Sequence, residues 1–275
     1  MRWQYGRKAV KLPRSPETLW AMKSVFGGNA LTQLTANLPQ TSTTHTWQRR
    51  ADTAARPATV RPRLVAGDRL TRSEFERRYA ASPNLKQAEL IEGVVFMPSP
   101  VHYSHGKPHG MVLGWLANYC AAKPGVEFAD NATVRLDAEN ELQPDALLRL
   151  VTTAGGQSWI SEDDYVVGAP ELVVEIAVSS ASYDLHDKLP VYRRTGVREY
   201  LVWQIEDQQF DWFVLEDGRY VTLAANPQGV AESSVFPGPR LQNAALMAGD
   251  LASVLQELQT GLASGALAAF VQSLM

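Results

Sequence analysis

The chain has 275 residues, 45% hydrophobic and 20% charged, which gives enough apolar mass for a sizeable core and excludes wholesale disorder. No stretch reaches the about 18–20 consecutive apolar residues of a membrane span, and a single cysteine, Cys120, excludes a disulfide framework or a cysteine-rich zinc module. The formal charge of −3 hides an asymmetry: residues 1–70 carry 12 Lys and Arg against 3 Asp and Glu, residues 71–275 carry 14 against 26.

Residues 1–63 read as a basic, weakly ordered extension. Its charge fits phosphate contacts, a solvated tail or an early start codon equally well. Residues 17–38 hint at a helix that Gly27-Gly28 cuts, and 41–63 form a polar linker. Thr71-Arg72-Ser73-Glu74 then fits a capping box, with Phe75 and Tyr79 on one face of the helix that follows. Residues 88–97 predict a hairpin turning at Glu92-Gly93. A helix is expected over 104–122, apolar at Met111, Val112, Trp115, Leu116 and Tyr119 and closed by Pro124-Gly125.

Strands are expected at 132–136 and at 143–150, where Pro144 sits at the entrance. Residues 152–169 read as a long loop. Residues 171–178 form an apolar run interrupted by Glu175, and Ser179, Ser180 and Ser182 lead into a helix over 184–195 that Gly196 ends. Further strands are expected at 199–205, 211–215 and 220–223, and helices at 246–258 and 262–274. This order predicts a mixed α/β domain over 64–240, with C-terminal helices, 241–275, packed on it.

Two carboxylates stand out. Asp145 follows Pro144 at the entrance to an apolar strand, and Glu175 breaks the run 172–178. A charge there is costly to bury unless it is paired or holds a metal. Either Glu175 points to water from a strand end, or it joins Asp145 around a hard divalent cation such as Mg²⁺ or Mn²⁺. Lys188 lies 13 residues on, near the start of a helix, where the dipole does not favour a cation. It either makes a surface pair with Asp184 or reaches back to the acids to orient water or phosphate. His102, His105 and His109 have the spacing of one helical face, enough for a three-ligand metal site. Pro100 and Gly106-Lys107-Pro108 are expected to interrupt that face.

The segment from Leu70 to Gly238 resembles the Uma-two family of restriction endonucleases, within the PD-(D/E)xK nuclease superfamily. The matching pieces include Glu89-Leu90-Ile91-Glu92-Gly93, Gln143-Pro144-Asp145, the run from Pro170 to Ile176, Asp184-Leu185-His186-Asp187-Lys188 and Val235-Phe236-Pro237-Gly238. Their joint order is far more specific than any one of them. The resemblance implies an αβββαβ core, with Asp145, Glu175 and the Ile176 backbone carbonyl as metal ligands and Glu89 as a further acid at the site. The superfamily lysine would fall at Ala177. The resembling family instead carries its lysine on the next helix, which matches Lys188.

By the same resemblance His102 or His105 lies near the acids, and Tyr192 faces them beside Lys188. The implied activity is Mg²⁺- or Mn²⁺-dependent endonuclease cleavage of DNA, with a homodimer as one arrangement; a cytoplasmic, reducing home is expected from the single cysteine. The acidic body favours an alternative, a binding module that keeps the fold without turnover.

Overall fold

The computed structural model describes residues 63–98 and 100–264. The expectations for 1–62 and for most of the helix over 262–274 lie outside them. Helix α1 (Arg72–Ala80) forms where the sequence predicts it, but the capping box does not. Glu74 instead accepts hydrogen bonds from Arg77 and Arg78 on its own helix. Phe75 is wholly buried and packs 5.6 Å from the Tyr79 ring.

Strands β1 (Glu89–Ile91) and β2 (Val94–Phe96) make the predicted hairpin. Glu92 and Gly93 both take positive φ, 51° and 71°, as a two-residue turn matched to strand twist requires. Helix α2 (Tyr103–Ala121) follows and buries all five predicted apolar residues. It runs unbroken through Gly106 and Pro108, correcting the expected interruption. Pro108 withholds an N–H only from the carbonyl of exposed Ser104, which water can satisfy.

The next strands are β3 (Val126–Asp130), β4 (Val134–Arg135), β5 (Glu141–Leu142) and β6 (Ala146–Leu150). Strand β3, with one buried end and exposed residues beyond, has no alternation to betray it in sequence. The presumed loop over 152–169 holds β7 (Trp159–Ile160) and β8 (Val166–Val167), since β8 finds β4 as a parallel partner. Strand β9 (Leu172–Ala177) is buried at every residue, as a strand covered on both faces must be.

The expected helix over 184–195 has a different start. Residues Tyr183–Lys188 form a π-helix that continues as α3 (Leu189–Thr195). Pro190 lacks the N–H that an α-helix would offer to the His186 carbonyl, and the wider spacing comes just before it. Strands β10 (Glu199–Gln204), β11 (Gln209–Glu216), β12 (Arg219–Thr222), β13 (Val230–Glu232) and β14 (Arg240–Gln242) complete the sheets. The helix expected over 246–258 is two, α4 (Asn243–Ala248) and α5 (Leu251–Leu262). Gly249 divides them at φ 75°, a left-handed conformation that a helix interior cannot hold.

The central sheet has the order β12-β11-β10-β9-β6-β3, with β9 and β10 parallel and the other pairs antiparallel. Helix α2, strands β3, β6 and β9, helix α3 and strand β10 therefore spell the αβββαβ core. Leu172, Val174 and Ile176 pack toward Trp115, Leu116, Val254 and Leu258 of α2 and α5. Val173 and Ala177 pack toward Val191 and Tyr192 of α3. Each fully buried Val or Leu there stabilises the fold by about 1.5–3 kcal/mol. Trp115 and Trp212 meet edge to face at 6.1 Å. A second sheet, β2-β1-β5-β4-β8-β7, brings the β1 hairpin to the site.

Candidate active site

Register sets the two acids side by side. Ala146 of β6 pairs with Val174 of β9, so Asp145 and Glu175, one residue further in opposite directions, lie at the same end of the sheet. Alternation on β9 turns Glu175 away from α2, toward α3. It does not point to water, being 3% exposed. Asp145 is fixed by the Ile176 N–H, which donates to Oδ2 at 2.7 Å.

The π-helix and α3 supply the next groups. Lys188 is buried, and its Nζ lies 3.0 Å from Glu175 Oε1, 3.2 Å from Glu89 Oε1 and 3.5 Å from Asp184 Oδ1. The surface pair with Asp184 is thus one contact of three, none at the surface. One α-helical turn on, Tyr192 donates its hydroxyl to Glu175 Oε1 at 2.9 Å. Glu89 arrives from the second sheet and also accepts the Gln143 N–H at 2.8 Å. Arg194 of α3 contacts Glu92 at the hairpin tip, tying β1 to α3.

Asp145, Glu175, Lys188, Glu89, Ile176, His102 and His105 line one cavity of about 380 Å³. Tyr192 holds Glu175 from behind. His105 is the histidine at the acids, with Nε2 3.2 Å from Asp145 Oδ1. His102 sits exposed at the N-cap of α2. His109 is buried between α2 and the sheet, its Nε2 2.7 Å from the Asp145 carbonyl.

Asp184 is the acid that sequence reasoning left outside the site. It lines the cavity and accepts from Ser180 Oγ at 2.8 Å. Its i,i+4 relation to Lys188, within the same matching motif, was the available signal. The serines are no cap for the helix. Ser182 makes no such bond, and Ser180 acts on Asp184 instead. Phe96 and Tyr183, edge to face at 5.2 Å, add aromatic surface to the cavity lining.

Electrostatics divide the acids. Burial works to raise the Asp145 pKa, but His105, the Ile176 N–H and Lys188 outweigh it and hold the carboxyl below its usual range. Asp145 in turn raises His105 against its own burial, and the Ile176 carbonyl adds to the rise. Burial pushes Glu175 well up. Lys188 opposes that shift, while Asp184, Asp145 and Glu89 add to it. Burial likewise raises Asp184. For Lys188 burial acts downward, yet Glu175, Glu89 and Asp184 carry it well above its usual value. Four carboxylates thus share one ammonium and one imidazole at a cavity, and burial together with this crowding pushes Glu175 and Asp184 toward their neutral forms. That donor set of buried oxygens fits a hard cation.

The sequence profile of the Uma2 family, described as "putative restriction endonuclease", matches residues 72–244. A solved structure with a similar fold is a "putative nuclease belonging to DUF820" from Anabaena variabilis. It is 12% identical at a TM-score of 0.52, covering 66% of this chain and 98% of that one. No curated protein matches.

Proposed function

Because the chain belongs to the Uma2 family, we propose that it is a metal-dependent endonuclease that hydrolyses phosphodiester bonds in DNA. The observation that carries this reading is the meeting of Asp145, Glu175, Glu89 and Asp184 with Lys188 at one cavity. Asp145, Glu175 and the Ile176 carbonyl would hold the ion, Mg²⁺ or Mn²⁺. When bound, it supplies Lewis acidity toward a phosphoryl oxygen and lowers the pKa of a water.

The protein groups do the rest. The Ile176 N–H and His105 orient Asp145, and Tyr192 fixes Glu175 through one oxygen. Lys188, held within 3.5 Å of three carboxylates, acts as a cation that positions the nucleophilic water and offsets charge growing on the phosphate. That ring of acids keeps its proton on, so it serves as an orienting group, not as the base.

The test is incubation of the purified chain with supercoiled and linear DNA in Mg²⁺, in Mn²⁺ and in chelator, beside Glu175→Ala. Cleavage that needs both the ion and Glu175 supports the reading. The net acidity of residues 71–275 favours a second reading, a non-catalytic binding module. DNA binding that is equal in wild type and variant, with no cleavage in any divalent ion, would establish it.

A further inference from the structure

Helix α2 and the start of β6 bring together a second set of donors. His105 and His109 stand four residues apart on one face of α2, with ring centroids 5.6 Å apart and planes at 72°. One ligand atom from each histidine and one from the Asp145 carboxylate lie within 4.8 Å of one another. Around these nitrogens oxygens outnumber protons. His109 Nε2 faces both the Asp145 carbonyl at 2.7 Å and Asp130 Oδ1 at 3.1 Å. His105 Nε2 faces both Asp145 carboxylate oxygens, at 3.2 and 3.3 Å. One N–H cannot serve two acceptors well, whereas one cation can serve them all. Ligands bonded at about 2.0–2.1 Å to one ion stand about 3 Å apart, and His105 Nε2 already stands 3.2 Å from the Asp145 carboxylate.

We propose that His105, His109 and Asp145 form a binding site for a first-row transition-metal ion, separate from the carboxylate set at Glu175 and sharing Asp145 with it. Two imidazoles and one carboxylate suit Mn²⁺, Co²⁺ or Zn²⁺ and do not suit Mg²⁺, which prefers oxygen and water. All three side chains are at least four-fifths buried, so helix and strand hold the donors in place before any ion arrives. His105 and Asp145 border the cavity, which leaves the remaining coordination positions to water or a substrate oxygen. The site stands on its own residues. A catalytic use for its ion, as one of two ions clamping a phosphodiester, rests on the reading above.

The experiment is Co²⁺ titration of the untagged, chelator-stripped full chain, read by visible ligand-field absorption. Wild type should bind with bands that mark nitrogen ligation. His105→Gln and His109→Gln should each weaken binding at least ~10-fold, with folding checked by circular dichroism. Should His109→Gln fail to fold, His105→Gln decides, because its ring lies at the cavity edge. Glu175→Gln should leave the Co²⁺ affinity within ~3-fold. The proposal is overturned if wild type gives no such bands, or if both histidine variants bind as wild type does. It is equally overturned if Glu175→Gln alone abolishes binding. Mg²⁺-dependent DNA cleavage, assayed in parallel, separates the two ideas: no cleavage with Co²⁺ binding intact sinks the nuclease reading and leaves this site standing.

Discussion

Glu175 and Glu199 begin from the same predicament and end differently. Both are buried acids on adjacent parallel strands of one sheet, paired through Val202↔Glu175 and Glu199↔Leu172. Glu199 is satisfied by neutral donors: Ser233 Oγ at 2.7 Å, Ser234 N at 2.7 Å and Oγ at 2.9 Å, and Val235 N at 3.1 Å. Burial raises its pKa while these bonds pull it back. Its work is to pin the segment ahead of β14. Glu175 shares one ammonium with two other acids, and the group opens onto a cavity. Burial of a carboxylate therefore says little about function. What compensates it separates a staple from a site.

The largest expected effect breaks the comparison at Glu175. Asp145→Asn and Glu175→Gln should each lower metal-dependent cleavage of supercoiled DNA by ~10³-fold or more. The melting temperature of Glu175→Gln should hold or rise, since burial and the neighbouring acids already push that carboxyl toward its neutral form. Asp145→Asn should instead melt lower, because His105, the Ile176 N–H and Lys188 favour its charge. Equal cleavage by wild type and both variants would remove the acids from the chemistry.

Lys188 comes next. Lys188→Met should cut cleavage ~100-fold and also cost about 3 kcal/mol of stability in urea, because it strands buried carboxylates without a counter-charge. Lys188→Arg should not restore the rate, as a planar guanidinium cannot take the place of a compact ammonium. A loss of stability with an unchanged rate per folded molecule would move Lys188 to the structural side.

Glu199→Ala tests that side directly. It should cost about 3 kcal/mol by leaving the Ser234 N–H and the Ser233 and Ser234 hydroxyls without their carboxylate, with the Val235 N–H left only the longer bond to Ser233 Oγ, while the rate per folded molecule stays within about twofold. A hundredfold loss of rate in a folded variant would erase the distinction.

The smallest effect concerns an incompletely compensated acid in the second sheet. Burial, then the neighbouring Glu76 carboxyl, raises Glu141 from the usual 4.5 to about 7, against the pull of Arg135. The folded chain thus holds this proton more tightly than the unfolded chain. Its stabilising contribution is full below pH 4.5 and is lost as pH rises through 7. Glu141→Gln should flatten melting temperature against pH between 5 and 8. An unchanged slope would refute the assignment.

Where one segment's own periodicity suffices, the chain could be read directly. The buried face of α2, the turn at Glu92-Gly93 and the run around Glu175 depend on neighbours within a few residues. Asp145, Glu175, Lys188 and Glu89 could be singled out through the family resemblance, and the fold brings the four to one cavity. Strands β3, β7 and β8 were not, since strands this short or this exposed exist only because a partner supplies their hydrogen bonds. The helical continuity through Pro108 also escaped, because its cost depends on whether Ser104 is solvated.

The sequence by itself determined the amphipathic helices and the hairpin, which are local patterns, and it pointed to the αβββαβ core through the order of motifs it has in common with a known family. Only the tertiary structure decided which charges meet. Glu89 lies 99 residues before Lys188 and on another sheet, yet ends 3.2 Å from it. Asp184 enters the site through a π-helical turn. His109 reaches the Asp145 carbonyl across the helix–sheet interface. Each of these contacts depends on strand register and on packing between distant elements, and local residue order does not encode them.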